Sequence, residues 1–229
     1  MKKFCKIIAA IVFLAGIMAA GIFAVILFDP WQDFGSESDI ALLCGIVLAS
    51  AIVGTFFLTR KENGSRKAAM IRTVTIIGGL AYFMCLVGIL FMARVNRTRM
   101  ATEVREYSLT PFKTIRSFIK AYQNNSLSPV IVRRNLIGNF LLFMPMAWIL
   151  PVACKKLRNA VAFSVVMLIG LCLVEYTQYR TGRGSMDIDD VILNFSGAIL
   201  VFALLWNKAV RGFMERRNIV SRRKRKKSS

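Results

Sequence analysis

Residues 172–198 read CLVEYTQYRTGRGSMDIDDVILNFSGA. The stretch opens inside one apolar run and closes inside another. Between them lie Glu175, Gln178, Arg180, Arg183, Asp187, Asp189, Asp190 and Asn194. Ionisable groups at membrane depth are costly, and they are kept where they pair or serve a site. Two apolar segments joined by this polar hinge read as two membrane helices that meet at one face of a bilayer.

The rest of the chain agrees with that reading. Its 229 residues are 56% hydrophobic with a formal net charge of +20, a combination outside the range of ordinary soluble domains. It fits a membrane protein whose cations sit in loops. There is no His, which removes the commonest general base and the commonest metal ligand. The five Cys (Cys5, Cys44, Cys85, Cys154, Cys172) show no CxxC spacing and lie in or beside apolar runs. They read as small packing residues rather than a disulfide framework or a zinc site. No metal site and no particular cofactor is indicated.

Six apolar stretches run over residues 7–28, 40–58, 74–92, 136–152, 160–174 and 191–206. The first three approach the ~20 residues of a helical span. The last three are shorter and need their polar flanks to complete a crossing. The first stretch follows Lys2, Lys3 and Lys6 and is longer than a signal-peptide core, so an uncleaved anchor is expected. The expected fold is an all-α, polytopic membrane helical bundle of about six spans plus one interfacial helix. Residues 1–72 form two spans and a basic loop, 73–206 the core, and 207–229 a basic tail.

Basic residues orient the bundle. With the N-terminus in the cytoplasm, 21 Lys and Arg fall inside and 11 outside, and the first outer loop carries Asp29, Asp33, Glu37 and Asp39 instead. Both termini are then cytoplasmic, and the tail RRNIVSRRKRKKSS anchors against anionic lipid heads rather than nucleic acid. Residues 93–134 are the misfit, being basic yet assigned outside. Within them, SLTPFKTIRSFIKAY puts Leu109, Phe112, Ile115, Phe118, Ile119 and Tyr122 on one helical face, with Lys113, Arg116 and Lys120 elsewhere. An amphipathic helix on the outer membrane surface is expected, with Thr110 capping it and Pro111 in its first turn.

Helical spacing also groups the polar residues of the last three spans. Asn135 and Asn139 share a face beside Gly138; Glu175 and Gln178 share another; Asp187, Asp190, Asn194 and Gly197 follow steps of 3, 4 and 3. The orientation brings Asn135, Asn139, Glu175, Gln178, Arg183, Asp187, Asp190 and Asn194 to the outer face, where they would line a polar ligand pocket. Its carboxylates offer oxygen ligands or a base, and its arginines suit phosphate or carboxylate. Equally, Glu175 and Asp190 would simply pair with Arg180 or Arg183 and fix helix packing. Pro145 in mid-span should kink its helix, with Pro151 near the end, and Gly197 allows close helix approach.

TPF at 110–112, NLIGNFLLFMPMAWILP at 135–151, VEYTQ at 174–178 and RGSMDIDDVILNFSGA at 183–198 together resemble the VanZ-like membrane protein family. The resemblance covers roughly residues 109–202. It would single out Pro111, Phe112, Asn135, Gly138, Asn139, Phe143, Pro145, Pro151, Glu175, Gln178, Arg183, Asp187, Asp190, Asn194 and Gly197. Met146 stands where the family usually has Gly, and residues 7–58 look like an addition to the family core. The family is associated with low-level teicoplanin resistance, so the resemblance implies a bacterial cell-envelope role without supplying a mechanism. Expected partners are membrane lipids and a cell-wall precursor or glycopeptide. An enzyme acting on a lipid-linked envelope substrate and a non-catalytic scaffold are the alternatives.

Overall fold

The computed structural model describes residues 7–9, 11, 46, 49–50, 52–62, 64–92, 107–182 and 184–221. The first two expected spans therefore lie largely outside the described residues, as does Arg183. The described residues are helical apart from loops and one two-stranded pairing. The elements are α1 (Gly64–Val87) with a π-helical turn Gly88–Met92, β1 (Tyr107–Ser108), α2 (Lys113–Gln123), α3 (Pro129–Arg133), a π-helical turn Arg134–Gly138, α4 (Asn139–Leu142), α5 (Met146–Ala153), α6 (Ala160–Arg180), β2 (Met186–Asp187), α7 (Ile188–Trp206) and α8 (Lys208–Arg216).

Among the described residues, four helical stretches are long and apolar enough to cross a membrane: Gly64–Phe91, Pro129–Ala153, Ala160–Arg180 and Ile188–Trp206. The last three each contain one of the last three apolar runs, Gly64–Phe91 covers all but the final residue of the run over 74–92, and each extends its run with polar flanks. Large apolar side chains face outward on them, among them Leu80, Met84, Val161, Leu173 and Leu204. Such a surface suits lipid rather than water, and the fold is an all-α membrane bundle.

The chain divides into two compact units, Met1–Gly88 with Lys208–Ser229, and Ile89–Asn207. In the first, α1 buries Ala68, Ile71, Tyr82, Cys85 and Leu86. The short α8 buries Met214 and carries an Arg211–Glu215 pair at 3.7 Å, one helical turn apart. The second unit holds everything from β1 to α7 and positions the site.

In that unit α7 is central, packing against α2, α4, α5 and α6. Gly197 and Ala198, both buried in α7, allow the close approach. Phe163 of α6 stacks on Phe202 with ring centroids 4.3 Å apart, and Phe202 and Trp206 continue the stack. The fourth span is not one regular helix: α4 stops at Leu142, the chain turns through Phe143–Pro145, and α5 resumes at Met146. Pro145 thus sits immediately before a new helix, where its fixed φ and missing N–H do no harm.

Pro151 lies inside α5 and leaves the carbonyl of Ala147, four residues back, without its helical donor. Trp206 supplies one, its Nε1–H donating to Ala147 O at 2.8 Å. Arg158, itself buried, donates from Nε to Pro151 O at 3.1 Å and lies 5.2 Å over the Trp206 ring. Trp206→Phe keeps the stack and orphans the carbonyl, at a cost of about 1–3 kcal/mol. The expected result is a melting temperature lowered by roughly 5 °C in detergent; an unchanged value would show that the indole bond contributes nothing.

Candidate functional site: the polar hinge between the last two spans

α6 begins with Asn159, whose side chain accepts from Ala162 N–H at 3.1 Å. It buries Phe163, Met167, Leu171, Glu175 and Gln178 on one stripe. That stripe is apolar over most of the helix and polar only at its last two positions. The helix closes at Thr181, where Gly182 takes a left-handed φ of 67° that suits a residue without a Cβ. The chain then runs extended through β2, which pairs in parallel with β1, Tyr107 opposite Met186 and Ser108 opposite Asp187.

The buried polar groups at this hinge bond mostly to backbone. Asp187 is the N-cap of α7, its carboxylate accepting from Asp189 N–H at 2.9 Å. Its own N–H donates to Glu175 Oε2 at 3.1 Å, which ties the end of α6 to the start of α7. Gln178 donates to the carbonyl of Leu90 at 3.0 Å. Asn139 of α4 donates to the Asp190 carboxylate. Asn194 donates to Asp190 O at 2.7 Å, while its Oδ1 is buried and receives no hydrogen bond.

The most heavily used acceptor is Asp189, fully buried. Its carboxylate accepts from the N–H groups of Phe112 at 2.5 Å, Thr114 at 2.8 Å and Ile115 at 3.0 Å. These are orphan donors of the first turn of α2, so a carboxylate from one helix caps another. The expectation of a local cap is corrected here. α2 starts at Lys113, Phe112 has a left-handed φ of 63°, and no side chain at the cap position bonds the helix end. With Phe112 left-handed, the chain at Thr110 and Pro111 cannot continue the helix, and the first-turn N–H groups turn toward α7 instead.

Of the eight expected pocket residues, the structure joins Asn139 to Asp190, Asp190 to Asn194, and Glu175 to Asp187. Gln178 reaches the Gly88–Met92 turn. Asn135 bonds within its own span, to Ile131 O at 2.8 Å, and Arg183 falls outside the described residues. Arg180 is exposed and makes no ion pair with any described residue. The structural positions are equally definite. Pro111 is exposed, Gly138 ends the π-helical turn, and Gly197 faces the backbone of Phe140. Asp189 is the residue that spacing missed. Its signal was the second carboxylate of DIDD, off the stripe of Asp190 and Asn194 and therefore available to a different neighbour.

Beside this hinge lies an open cleft of about 760 Å³. One wall is the inner side of α2 with Lys113, Ser117 and Phe118; the other is the strand pair with Tyr107, Ser108 and Asp187. Among the described residues, Asp187 is the one expected pocket residue that lines it. The arrangement offers hydroxyls, a carboxylate and an ammonium to a solute. Among the described residues no group of three or more His, Cys, Asp and Glu is placed to hold a metal ion.

The family model described as VanZ/LLP1 matches residues 79–211, more than half of the chain. The matched region contains the hinge, the cleft and all three spans that meet there. No curated protein and no solved structure matches the chain.

Proposed function

The chain belongs to the VanZ/LLP1 family, and from that premise we propose that it serves the bacterial cell envelope from the cytoplasmic membrane, both termini inside. The hinge and its cleft face outward and take up part of a cell-wall precursor or glycopeptide, which lowers teicoplanin action. The observation that carries this reading is the 760 Å³ cleft, carrying hydroxyls, Lys113 and Asp187, beside a hinge that the distribution of Lys and Arg assigns to the outer face. Expression in a susceptible Gram-positive host should raise the inhibitory concentration of teicoplanin. Unchanged susceptibility to both teicoplanin and vancomycin would remove the resistance reading.

Orientation is tested separately. Ser185 is exposed at the hinge, and Ser185→Cys, in a chain cleared of its native Cys, should react with an impermeant maleimide on intact cells. Reaction only after permeabilisation would place the cleft in the cytoplasm.

The hydrogen bonds themselves favour a second reading, a non-catalytic scaffold. Glu175, Asp187 and Asp189 all accept from backbone N–H groups and thereby fix helix ends. A scaffold predicts that Glu175→Gln lowers the amount of folded protein and spares any phenotype per molecule.

A further inference from the structure

At about 100° per residue, α2 presents three faces rather than two. Ile119 and Tyr122 form an exposed apolar face, and Phe112 is exposed just before the helix, as an interfacial helix requires for a bilayer. Arg116 and Lys120 lie on a cationic face. A third face, carrying Lys113, Ser117 and Ala121 at one-turn spacing, lines the cleft. Phe118 stands at the border of the apolar face and the cleft. An amphiphile whose chains lie in the bilayer against the apolar face would therefore bring its headgroup to the cleft mouth.

The lining says which headgroup. Ser108 Oγ is fully buried and has no hydrogen-bond partner, and a buried hydroxyl left unmatched is costly. Ser117 donates to Lys113 O at 2.9 Å and keeps its lone pairs for an incoming donor. Asp187 adds a carboxylate acceptor and Lys113 an ammonium that forms no ion pair among the described residues. Among the described residues of the lining, one cation faces one carboxylate, so their charges balance. Among the described residues, a phosphate would meet the Asp187 carboxylate with only Lys113 as a compensating cation. A polyhydroxyl group meets acceptors, donors and two aromatic rings, Tyr107 and Phe118. The volume suits one or two sugar rings.

We propose that the cleft beside α2 binds the saccharide headgroup of a glycosylated membrane amphiphile, with Ser108, Lys113, Ser117 and Asp187 as polar contacts. This deepens the reading above and rests on it for the membrane setting of the cleft. It does not depend on which side of the membrane that is, nor on drug resistance.

The test uses the full chain, with Ser185→Cys as its sole cysteine, in phosphatidylcholine nanodiscs where both faces are accessible. Ser185 borders the cleft, so an occupant should slow its maleimide labelling. The free fraction falls as 1/(1 + [L]/Kd), so lipid at about nine times its Kd slows labelling about tenfold. Slowing is expected in discs containing diglucosyl diacylglycerol and not in discs containing phosphatidylglycerol. It should disappear in Ser117→Leu, which fills the cleft from an exposed helix position, and weaken in Lys113→Ala. No slowing by the glycolipid overturns the proposal. Equal slowing by phosphatidylglycerol overturns it in favour of a phosphate site, and equal slowing by free maltose overturns the requirement for a membrane anchor.

Discussion

Asp189→Ala should free α2 from the bundle. The wild-type carboxylate is fully buried and accepts three backbone N–H groups at 2.5–3.0 Å. Hydrogen bonds to a charged acceptor contribute about 1.5–3 kcal/mol each, and an ordinary helix cap about 1 kcal/mol. Loss of the whole set is expected to cost about 3–5 kcal/mol, a large share of the total stability of a typical domain. Among the described residues, α2 has no buried residue of its own, so the Asp189 carboxylate is the main protein contact holding its first turn. Lys113, Arg116 and Lys120 are exposed on it and give trypsin its sites. With an opening free energy lowered by about 3 kcal/mol, cleavage within α2 should accelerate roughly a hundredfold. Asp189→Asn keeps the shape but turns an NH₂ group toward the donors, so it should fall between wild type and Asp189→Ala. Wild-type cleavage rates in Asp189→Ala would show that α2 is held by other means.

The helices of the described core were legible because apolar runs within 74–206 are long relative to their polar breaks, and the bilayer sets a minimum length for each. The extents were not, since polar flanks continue these helices: α6 runs on through Glu175 and Gln178 to Arg180. The stripe of Asp187, Asp190, Asn194 and Gly197 was drawn with a helical period throughout. The period holds only from Ile188 onward, and Asp187 stands before the helix as its cap. Asp189 could not be assigned from spacing at all, because its partners lie 74 to 77 residues earlier in the chain. The cleft was equally hidden. Ser108 and Asp187 meet only through the pairing of β1 with β2, two strands too short to leave an alternating pattern. The charge bias that orients the chain is, by contrast, a property of the sequence alone.

Gly197→Ala should disrupt the same unit from the opposite direction, by adding an atom. A Cβ at Gly197 would fall on the carbonyl oxygen of Phe140 and within 2.9 Å of its carbon. Both are backbone atoms, so no rotamer change relieves the overlap, and α4 and α7 must separate. Overpacking typically costs about 1–3 kcal/mol, and a backbone clash belongs at or above the upper end. Gly170→Ala is the matched control. It lies in α6 with nothing within 4 Å of an added Cβ, and alanine there gains up to about 1 kcal/mol of helix propensity. Thermal stability in detergent should therefore fall for one Gly→Ala change and hold or rise for the other. A second measurement asks whether packing and the polar hinge are one structure. Phe140 adjoins Asn139, which bonds Asp190 on the same helix as Gly197. Once α4 has moved away from α7, Asn139 has no bond left to lose. The double variant Asn139→Ala with Gly197→Ala should then lose less stability than the two single losses combined. Strict additivity would mean that Asp190 holds Asn139 even after the helices part, and that the hinge is built independently of the contact beneath it.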